Sequence, residues 1–187
     1  MLFVRRRRMA FSMKQLLMKR ENGKVGEICL PDGYYMRAYQ NGDGPGWCRC
    51  CIDGSLGVDE ISEAFFARKM LQDKSVNPDN IYFLISPSGE IAGTVTYQYS
   101  QEEGAGTIHM VGIQKNYLGK HLSLPMTLYA VKKILDDGNK TVKLTTDDWR
   151  LPAIKTYLRA GFKPVYHQPD MKERWRRVME QIAKNAN

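Results

Sequence analysis

Runs of apolar and β-branched residues bounded by glycine, proline and asparagine predict strands along most of the chain. These strands are expected at residues 34–39, 81–85, 91–97, 107–113, 141–146 and 162–166. The turn at 86–89 joins the second and third of them into a hairpin. Apolar residues at helical spacing predict helices at about 47–52, 58–72, 120–136 and 172–184, and one more between Asp147 and Gly161.

The predicted helices carry apolar faces and recognisable ends. The helix at 120–136 has apolar residues at i, i+4, i+7 and i+11, which are Leu124, Leu128, Val131 and Leu135. Gly138 follows this helix, and glycine is common just past a helix end. Pro152 is expected in the first turn of the next helix, with Asp147 and Asp148 as its caps. The apolar faces of the helices at 58–72 and 172–184 are predicted to contain Ile61, Ala64, Phe65, Phe66, Met70, Trp175, Val178, Met179 and Ile182.

Positive charge is concentrated at the amino-terminal end. Residues 1–24 contain eight basic side chains and one acidic one, which is +7 of the formal net charge of +8, so the other 163 residues carry +1. We therefore interpret residues 1–31 as a basic N-terminal extension and residues 32–187 as a single domain. Because runs of like charge are usually solvated tails, we expect no nucleic-acid partner. A contact of this extension with phosphate or an acidic partner stays open.

The apolar segments and the cysteines bear on where the protein works. No apolar run approaches the roughly 20 residues that a membrane helix needs. No apolar segment follows the arginines at 5–8, whereas a secretory signal places its apolar segment after the basic one. These features predict a cytoplasmic protein without a membrane partner. The cysteines form no CxxC pair and lie far from the histidines in sequence, so we expect free thiols and no metal site at Cys29, Cys48, Cys50 and Cys51.

The loop at 114–123 lies between a predicted strand and a predicted helix. Backbone N–H groups and the positive end of the dipole at a helix start favour phosphate. One glycine before a helix is weak evidence for such a site when it stands alone. The surrounding motifs therefore decide how this loop is interpreted.

Two motifs at 107–166 together resemble a known family. Residues 111–120 read Val-Gly-Ile-Gln-Lys-Asn-Tyr-Leu-Gly-Lys, and residues 144–162 end in the spacing A-x-x-x-Y-x-x-x-G-F. The second motif is formed by Ala153, Tyr157, Gly161 and Phe162. This order of strand, loop, helix, strand, helix and strand resembles the core of the GNAT acetyltransferase superfamily, in particular a bacterial subgroup of undefined substrate. The resemblance covers about residues 34–166.

Four positions depart from the pattern of that family. Leu118 stands where glutamine or arginine is usual, His121 where glycine is usual, and Ser123 where glycine or alanine is usual. Arg150 occupies a position where asparagine is frequent. A side chain at His121 has to point away from a bound pyrophosphate, while its backbone N–H remains able to donate.

The resemblance implies an α+β fold, an activity and a site. The fold would be a central mixed, mostly antiparallel sheet of about six strands flanked by helices. The activity would be transfer of an acetyl group from acetyl-CoA to a primary amine of an unidentified small molecule or peptide, without a metal. The residues implied in binding the cosubstrate are Val111, Gly112, Ile113, Leu118, Gly119, Lys120, His121, Leu122, Ser123 and Arg150.

Two residues are implied in the chemistry itself. Tyr157 matches the tyrosine that protonates the leaving sulfur in the family. His109 lies on the same strand as Val111, is predicted on the same face, and resembles the histidine that relays a proton through water in arylalkylamine acetyltransferases. Alternatively, His109 is only packed on the sheet, and the base is Glu102 or Glu103, or ordered water without a dedicated base.

Other interpretations stay open at this stage. The altered glycine signature is also compatible with a non-catalytic module that binds or senses acyl-CoA, and the basic end with nucleic-acid binding. The acceptor site of the family is built by residues 46–73, 100–106 and those beyond 166, which here contain Trp47, Phe65, Phe66, Glu60, Glu63, Glu102 and Glu103. The family also makes a homodimer possible.

Overall fold

The computed structural model describes residues 15–54, 56–99 and 104–185. Within these ranges the chain forms one mixed sheet of seven strands with helices on both faces. The strands are β1 Leu16–Glu21, β2 Tyr35–Ala38, β3 Ile81–Ile85, β4 Ile91–Tyr99, β5 Ala105–Ile113, β6 Thr141–Thr146 and β7 Lys163–Val165. The helices are α1 Gly44–Ile52, α2 Glu63–Phe66, α3 Ser123–Asp136, α4 Leu151–Arg159 and α5 Met171–Lys184.

The strand order is β2-β3-β4-β5-β6-β1-β7, and only the β5–β6 pair is parallel. The predicted α+β class with a mostly antiparallel sheet is therefore confirmed. The β3–β4 hairpin and the strands at β2, β5, β6 and β7 lie where the sequence predicts them, within two residues at each end. The sheet has one strand more than predicted because β1 belongs to it.

Strand β1 is a finding of the structure, since its residues lie in the predicted basic extension, where no strand is predicted from the sequence. It lies between β6 and β7 and is antiparallel to both. Leu16 and Met18 are fully buried on one face. The charged Arg20 is also buried, because its Nε donates to the carbonyl oxygen of Ala160 at 3.0 Å and its Nη2 to that of Lys24 at 2.9 Å. A buried guanidinium is tolerated when its N–H groups donate hydrogen bonds to acceptors in the protein.

Each face of the sheet has its own hydrophobic core. Helices α3, α4 and α5 cover one face with residues such as Ile134, Ile154 and Trp175. Helix α1 and the α2 region cover the other face, where Trp47 and Phe66 pack on β3. These two faces are called the α3/α4 face and the α1/α2 face below. Side chains of a strand alternate between them.

Helix boundaries differ from the prediction at three places. Regular helix in the predicted 58–72 segment begins only at Glu63, because Ser62 is extended and its hydroxyl accepts the N–H of Phe65 at 3.0 Å. A π-helical turn, Ala67–Leu71, follows α2, and Ile61 is 47% exposed instead of lying on an apolar face. Helix α3 starts at Ser123 and not near 120, since Gly119 and His121 have positive φ angles.

The cap of α4 and the apolar face of α5 also differ from the prediction. The residue before α4 is Arg150 and no side chain caps the helix, because Asp147 and Asp148 bind arginines instead. Met179, which was predicted on the apolar face of α5, is 43% exposed. Among the residues described, no helix has the length and apolar character required to cross a membrane.

Candidate active site

A β-bulge in β5 shapes the centre of the sheet. Met110 has a φ of 53°, and the register between β4 and β5 shifts between Thr94 and Thr96. The parallel pairing of β5 with β6 ends at Ile108 and Leu144, although β5 continues to Ile113. Because a bulge bends its strand, β5 separates from β6 beyond this point. Within the part of the chain that the structure describes, backbone groups of Val111–Ile113 on the side of β6 therefore have no neighbouring strand.

The bulge also changes the face on which His109 lies. His109 pairs with Thr96, which lies between Val95 and Tyr97 on β4. The side chains of Val95 and Tyr97 are in the α3/α4 core, and directly paired residues share a face, so His109 is on the α1/α2 face. Val111 packs against the α3/α4 core. The expectation that His109 and Val111 share a face is wrong, because Met110 adds one residue to the alternation.

His109 is half-buried in this position. Burial lowers the pKa of His109, and the charge of Asp73 opposes that change more weakly. The imidazole is therefore neutral at pH 7. A neutral imidazole has a nitrogen lone pair that can accept a proton.

A cleft of about 370 Å³, called the large cleft in contrast to a smaller inner cavity, opens where β5 and β6 separate. Its walls come from β5, from the loop and first turns of α3, from α4 and from the end of α1. The lining residues of this large cleft are Cys50, Asp53, Gly54, Val111, Gly112, Ile113, Leu118, Ser123, Thr127, Trp149, Arg150, Pro152, Ala153, Thr156 and Tyr157. Leu118 and Trp149, each 61% exposed, give the cleft an apolar rim.

The loop before α3 lies at one end of the large cleft. A 3-10 turn, Lys115–Tyr117, is followed by Gly119 with φ 78° and His121 with φ 58°. His121 thus adopts the left-handed conformation in which glycine is common, and its side chain is exposed. No side chain caps α3, so its first N–H groups are available to an anion. A side groove of about 410 Å³, which Glu27 and Arg159 also line, passes Gly119, His121 and Ser123.

Tyr157 on α4 lies beside the opening between β5 and β6. The residue is 9% exposed, and its ring packs edge-on against Phe162 with 6.2 Å between centroids. Burial raises the pKa of Tyr157 to about 12, against a weaker opposite effect of Arg150. The hydroxyl is therefore protonated at neutral pH. Within the described part of the chain, no hydrogen-bond partner of that hydroxyl is found.

Arg150 is held at the edge of the large cleft by a chain of contacts that begins at Gln15, just before β1. Its Nε donates to Oδ2 of Asp147 at 2.9 Å, and its guanidinium lies 4.6 Å from the centroid of the Trp149 ring. Oδ1 of the same aspartate accepts from Nε2 of Gln15 at 3.0 Å. A residue just before β1 thus positions a cation beside the cleft.

A smaller inner cavity of about 70 Å³ lies at the point where β5 and β6 separate. It shares Val111, Arg150 and Tyr157 with the large cleft. The other residues that line this inner cavity are Gln15, Leu56, Ile108, Met110, Leu144, Thr145 and Thr146. Tyr157 is thus the only tyrosine that lines both spaces among the residues described.

The structure brings many of the sequence-predicted site residues together. The large cleft is lined by Val111, Gly112, Ile113, Leu118, Ser123, Arg150 and Tyr157, and the side groove by Gly119, His121 and Ser123. The side chain of Leu122 is in the core, the ammonium of Lys120 lies 4.8 Å from the ring centroid of Tyr117, and neither residue lines the large cleft or the side groove. His109 lines neither the large cleft nor the inner cavity.

The residues named for the acceptor site have mainly structural roles. Trp47, Phe65 and Phe66 are buried in the α1/α2 core. Glu63 accepts the backbone N–H of Gly44 at 3.0 Å, and Glu60 binds the hydroxyl of Ser62 at 2.6 Å. Glu102 and Glu103 lie outside the described residues. Nothing in the sequence pattern pointed to Gln15, Met110 or Thr146, which reach the site because of the bulge and of β1.

The chain is similar in sequence to a known protein family and to known proteins. The sequence profile described as "Acetyltransferase (GNAT) family" matches residues 47–162. The mycothiol acetyltransferase of Streptomyces avermitilis is 24% identical over 151 residues, covering 79% of this chain and 48% of that protein. Its counterpart from an Arthrobacter species is 25% identical over 149 residues, covering 75% and 46%. The chain thus spans about half the length of these curated relatives.

Solved structures show the same fold. A GCN5-related N-acetyltransferase from Sphaerobacter thermophilus superposes with a TM-score of 0.62 at 20% identity, covering 81% of this chain and 49% of that one. The ribosomal-protein-S18-alanine N-acetyltransferase of Escherichia coli gives a TM-score of 0.56 at 16% identity, covering 71% and 79%.

Proposed function

Because the chain belongs to the acetyltransferase (GNAT) family, we propose that it transfers an acetyl group from acetyl-CoA to a primary amine. The single observation that carries this proposal is the position of Tyr157, a residue that lines both the large cleft and the inner cavity and whose hydroxyl is protonated. The large cleft is suited to the thioester and the inner cavity to the nucleophile. Acyl transfer requires a proton donor for the leaving sulfur, and Tyr157 lies between the two spaces.

The residues of the large cleft fit the cosubstrate. The uncapped start of α3, with the backbone N–H groups of 119–123, would hold the pyrophosphate. Val111, Gly112 and Ile113 present backbone groups that have no neighbouring strand, which would hold the pantetheine arm and polarise the thioester carbonyl. Arg150 would contact the same arm from the α4 side. Acetyl-CoA supplies the activated acetyl group.

The proposed reaction balances as follows. The nitrogen of a neutral amine forms a bond to the carbonyl carbon, and the carbon–sulfur bond breaks. Tyr157 gives its proton to the leaving sulfur, the surplus proton on nitrogen leaves through water to a base, and that base then returns a proton through solvent to the tyrosinate. His109 is neutral at pH 7 and would be the base that receives this proton. Since it lines neither space, it would act through at least one water.

The proposal leaves open the chemical class of molecule that carries the acceptor amine. The names of the matched proteins include mycothiol in two cases and an alanine of a ribosomal protein in another. Both a small molecule and a peptide are therefore kept as classes of acceptor. The proposal places the reaction in the cytoplasm, on the sequence evidence, within a single domain that includes β1.

Replacement of Tyr157 tests the proposal. Tyr157→Phe should leave the Kd for acetyl-CoA unchanged and lower turnover about 10-fold or more, because only the proton donor is lost. Tyr129→Phe on α3 is the control, since Tyr129 is half-buried and packs against Tyr82 away from the cleft. Unchanged turnover in Tyr157→Phe would remove this residue from the mechanism. Binding without turnover over a broad amine panel would instead indicate a non-catalytic acyl-CoA module.

A further inference from the structure

The register of β1 against β6 brings Gln15 to the loop between β6 and α4. Leu16 pairs with Thr146 in the antiparallel ladder, so the next residues to face each other are Gln15 and Asp147. Their side chains meet, because Nε2 of Gln15 donates to Oδ1 of Asp147 at 3.0 Å. The two residues are 132 positions apart in the sequence. The contact is therefore a consequence of the place that β1 takes beside β6.

Asp147 connects Gln15 to Arg150. Its Oδ1 accepts from Gln15, and its Oδ2 accepts from Nε of Arg150 at 2.9 Å. The side chains of Arg150 and Asp147 are largely shielded from solvent, with 17% and 30% exposed. The last torsion of an aspartate side chain is broad, so contacts at both oxygens restrict its rotation more than a contact at one. The Gln15 donor thus limits the rotation of the carboxylate, and with it the position of the guanidinium.

The guanidinium of Arg150 is close enough to the reaction site to act on Tyr157. Both residues line the large cleft and the inner cavity. Burial raises the pKa of Tyr157 to about 12, and the charge of Arg150 opposes this rise. Arg150 directly precedes α4, about two helical turns before Tyr157, and side chains on a helix lean toward its amino-terminal end. The orientation of Arg150 therefore matters where the thioester would lie.

We propose that Gln15 is a positioning residue of the active site, which fixes Arg150 through Asp147 so that the guanidinium is already in place when acetyl-CoA binds. This inference rests on the proposed function, in which Arg150 contacts the pantetheine arm. It adds a residue that the family match does not cover, since that match begins at residue 47. It also gives the segment at the start of β1 a role in binding as well as in the fold.

The ordering of a long side chain sets the size of the expected effect. A mobile arginine loses its freedom when a ligand orders it, which weakens binding by about 2- to 10-fold. The hydrogen bond from Gln15 to Asp147 removes part of this cost before acetyl-CoA arrives. Gln15 lines the inner cavity but not the large cleft, so its effect on the cosubstrate has to pass through Arg150.

A double-mutant cycle tests the inference by calorimetric titration with acetyl-CoA, which requires no acceptor. The variants are Gln15→Met, Arg150→Met and the double variant that combines them. Methionine keeps a long unbranched side chain and removes the amide of Gln15 or the charge of Arg150. The Arg150→Met variant measures the contribution of the guanidinium to affinity. The double variant then shows whether Gln15 acts through Arg150 or independently of it.

Gln98→Met is the matched control for Gln15→Met. Nε2 of Gln98 also donates to a side-chain oxygen, the hydroxyl of Ser75 at 2.8 Å. Gln98 lies on β4 and lines neither the large cleft, the side groove nor the inner cavity. Melting temperatures of all the variants separate a loss of affinity from a loss of fold. Because Gln15 is exposed, its replacement should leave the melting temperature close to that of the wild type.

We expect Gln15→Met to raise the Kd for acetyl-CoA about 2- to 10-fold when Arg150 is present, and to cause no further rise when Arg150 is replaced by methionine. Gln98→Met should leave the Kd unchanged. An unchanged Kd in Gln15→Met, or an equal loss of affinity in the two backgrounds, would overturn the inference, because Gln15 would then not act through Arg150. Failure of the wild type to bind acetyl-CoA would overturn the proposed function instead.

Discussion

Gly112 on β5 lies directly against the backbone of Cys50 on α1. A Cβ atom on Gly112 would be 2.4 Å from the carbonyl oxygen of Cys50, closer than real Cβ atoms approach such an oxygen. The contact fixes α1 against the part of β5 that has separated from β6. Glycine is therefore required here by close packing, and not by a special backbone angle.

Substitution of Gly112 should destabilise the protein. Because the clash is with backbone that has no freedom to move aside, Gly112→Ala should lower the free energy of unfolding by about 1–3 kcal/mol. Urea unfolding measures the change. Gly23→Ala is the control, since a Cβ there meets nothing within 4 Å, and it should stay within about 0.5 kcal/mol of the wild type. A Gly112→Ala variant as stable as Gly23→Ala would contradict the packing described.

The left-handed backbone of His121 leads to a second prediction. A non-glycine residue in this conformation costs roughly 1–2 kcal/mol, which glycine avoids at an entropic cost of about 0.5–1 kcal/mol. His121→Gly should thus be at least as stable as the wild type. His121→Val should be less stable, since β-branched residues avoid this region. Urea midpoints of the three proteins check the order, and a valine variant as stable as the glycine variant would contradict it.

Strand β1 provides the third prediction. Leu16 is fully buried between β6 and β7, so Leu16→Ala should reduce the free energy of unfolding by about 2–5 kcal/mol. Removal of residues 1–14 should leave the melting temperature nearly unchanged, because the strand is retained. Circular dichroism during heating measures both. A deletion as damaging as Leu16→Ala would show that residues before β1 contribute to the fold.

The fourth prediction concerns pH. The pKa of His109 is lower in the folded protein than the value of about 6.5 expected in the unfolded chain. The unfolded state then binds a proton more readily, so stability is full above about pH 6.5 and is lost as the pH falls below it. His109→Gln should make stability decline less steeply between pH 6.5 and 5, as measured by urea unfolding at each pH. If the free energy of unfolding falls equally steeply in His109→Gln and the wild type over this pH range, the histidine is not buried as described.

The sequence predicted most of the fold because its strands and helices carry regular patterns. Strand β1 was missed because Lys19, Arg20 and Glu21 conceal the alternation of Leu16 and Met18. A charged side chain such as Arg20 is buried only because two carbonyl oxygens from other parts of the chain accept its protons. Contacts of that kind depend on tertiary structure and leave no local signal.

The site was predictable where a motif carries it and not elsewhere. Tyr157 was identified because its motif resembles one of the GNAT family, and the structure brings it beside the cleft. The bulge at Met110 has no marker in the sequence, and it moved His109 to the other face. Gln15 has no signal in the sequence either, since its contact with Asp147 depends on the register of β1 beside β6.

The most direct test of the account is calorimetric titration of the wild type with acetyl-CoA, with desulfo-CoA and ATP as controls. The uncapped start of α3 and the large cleft predict saturable binding in the micromolar range that ATP does not reproduce, since ATP lacks the pantetheine arm that the cleft would hold. Absence of binding at millimolar acetyl-CoA would contradict the central claim, because it would mean that the loop with His121 does not hold the cosubstrate.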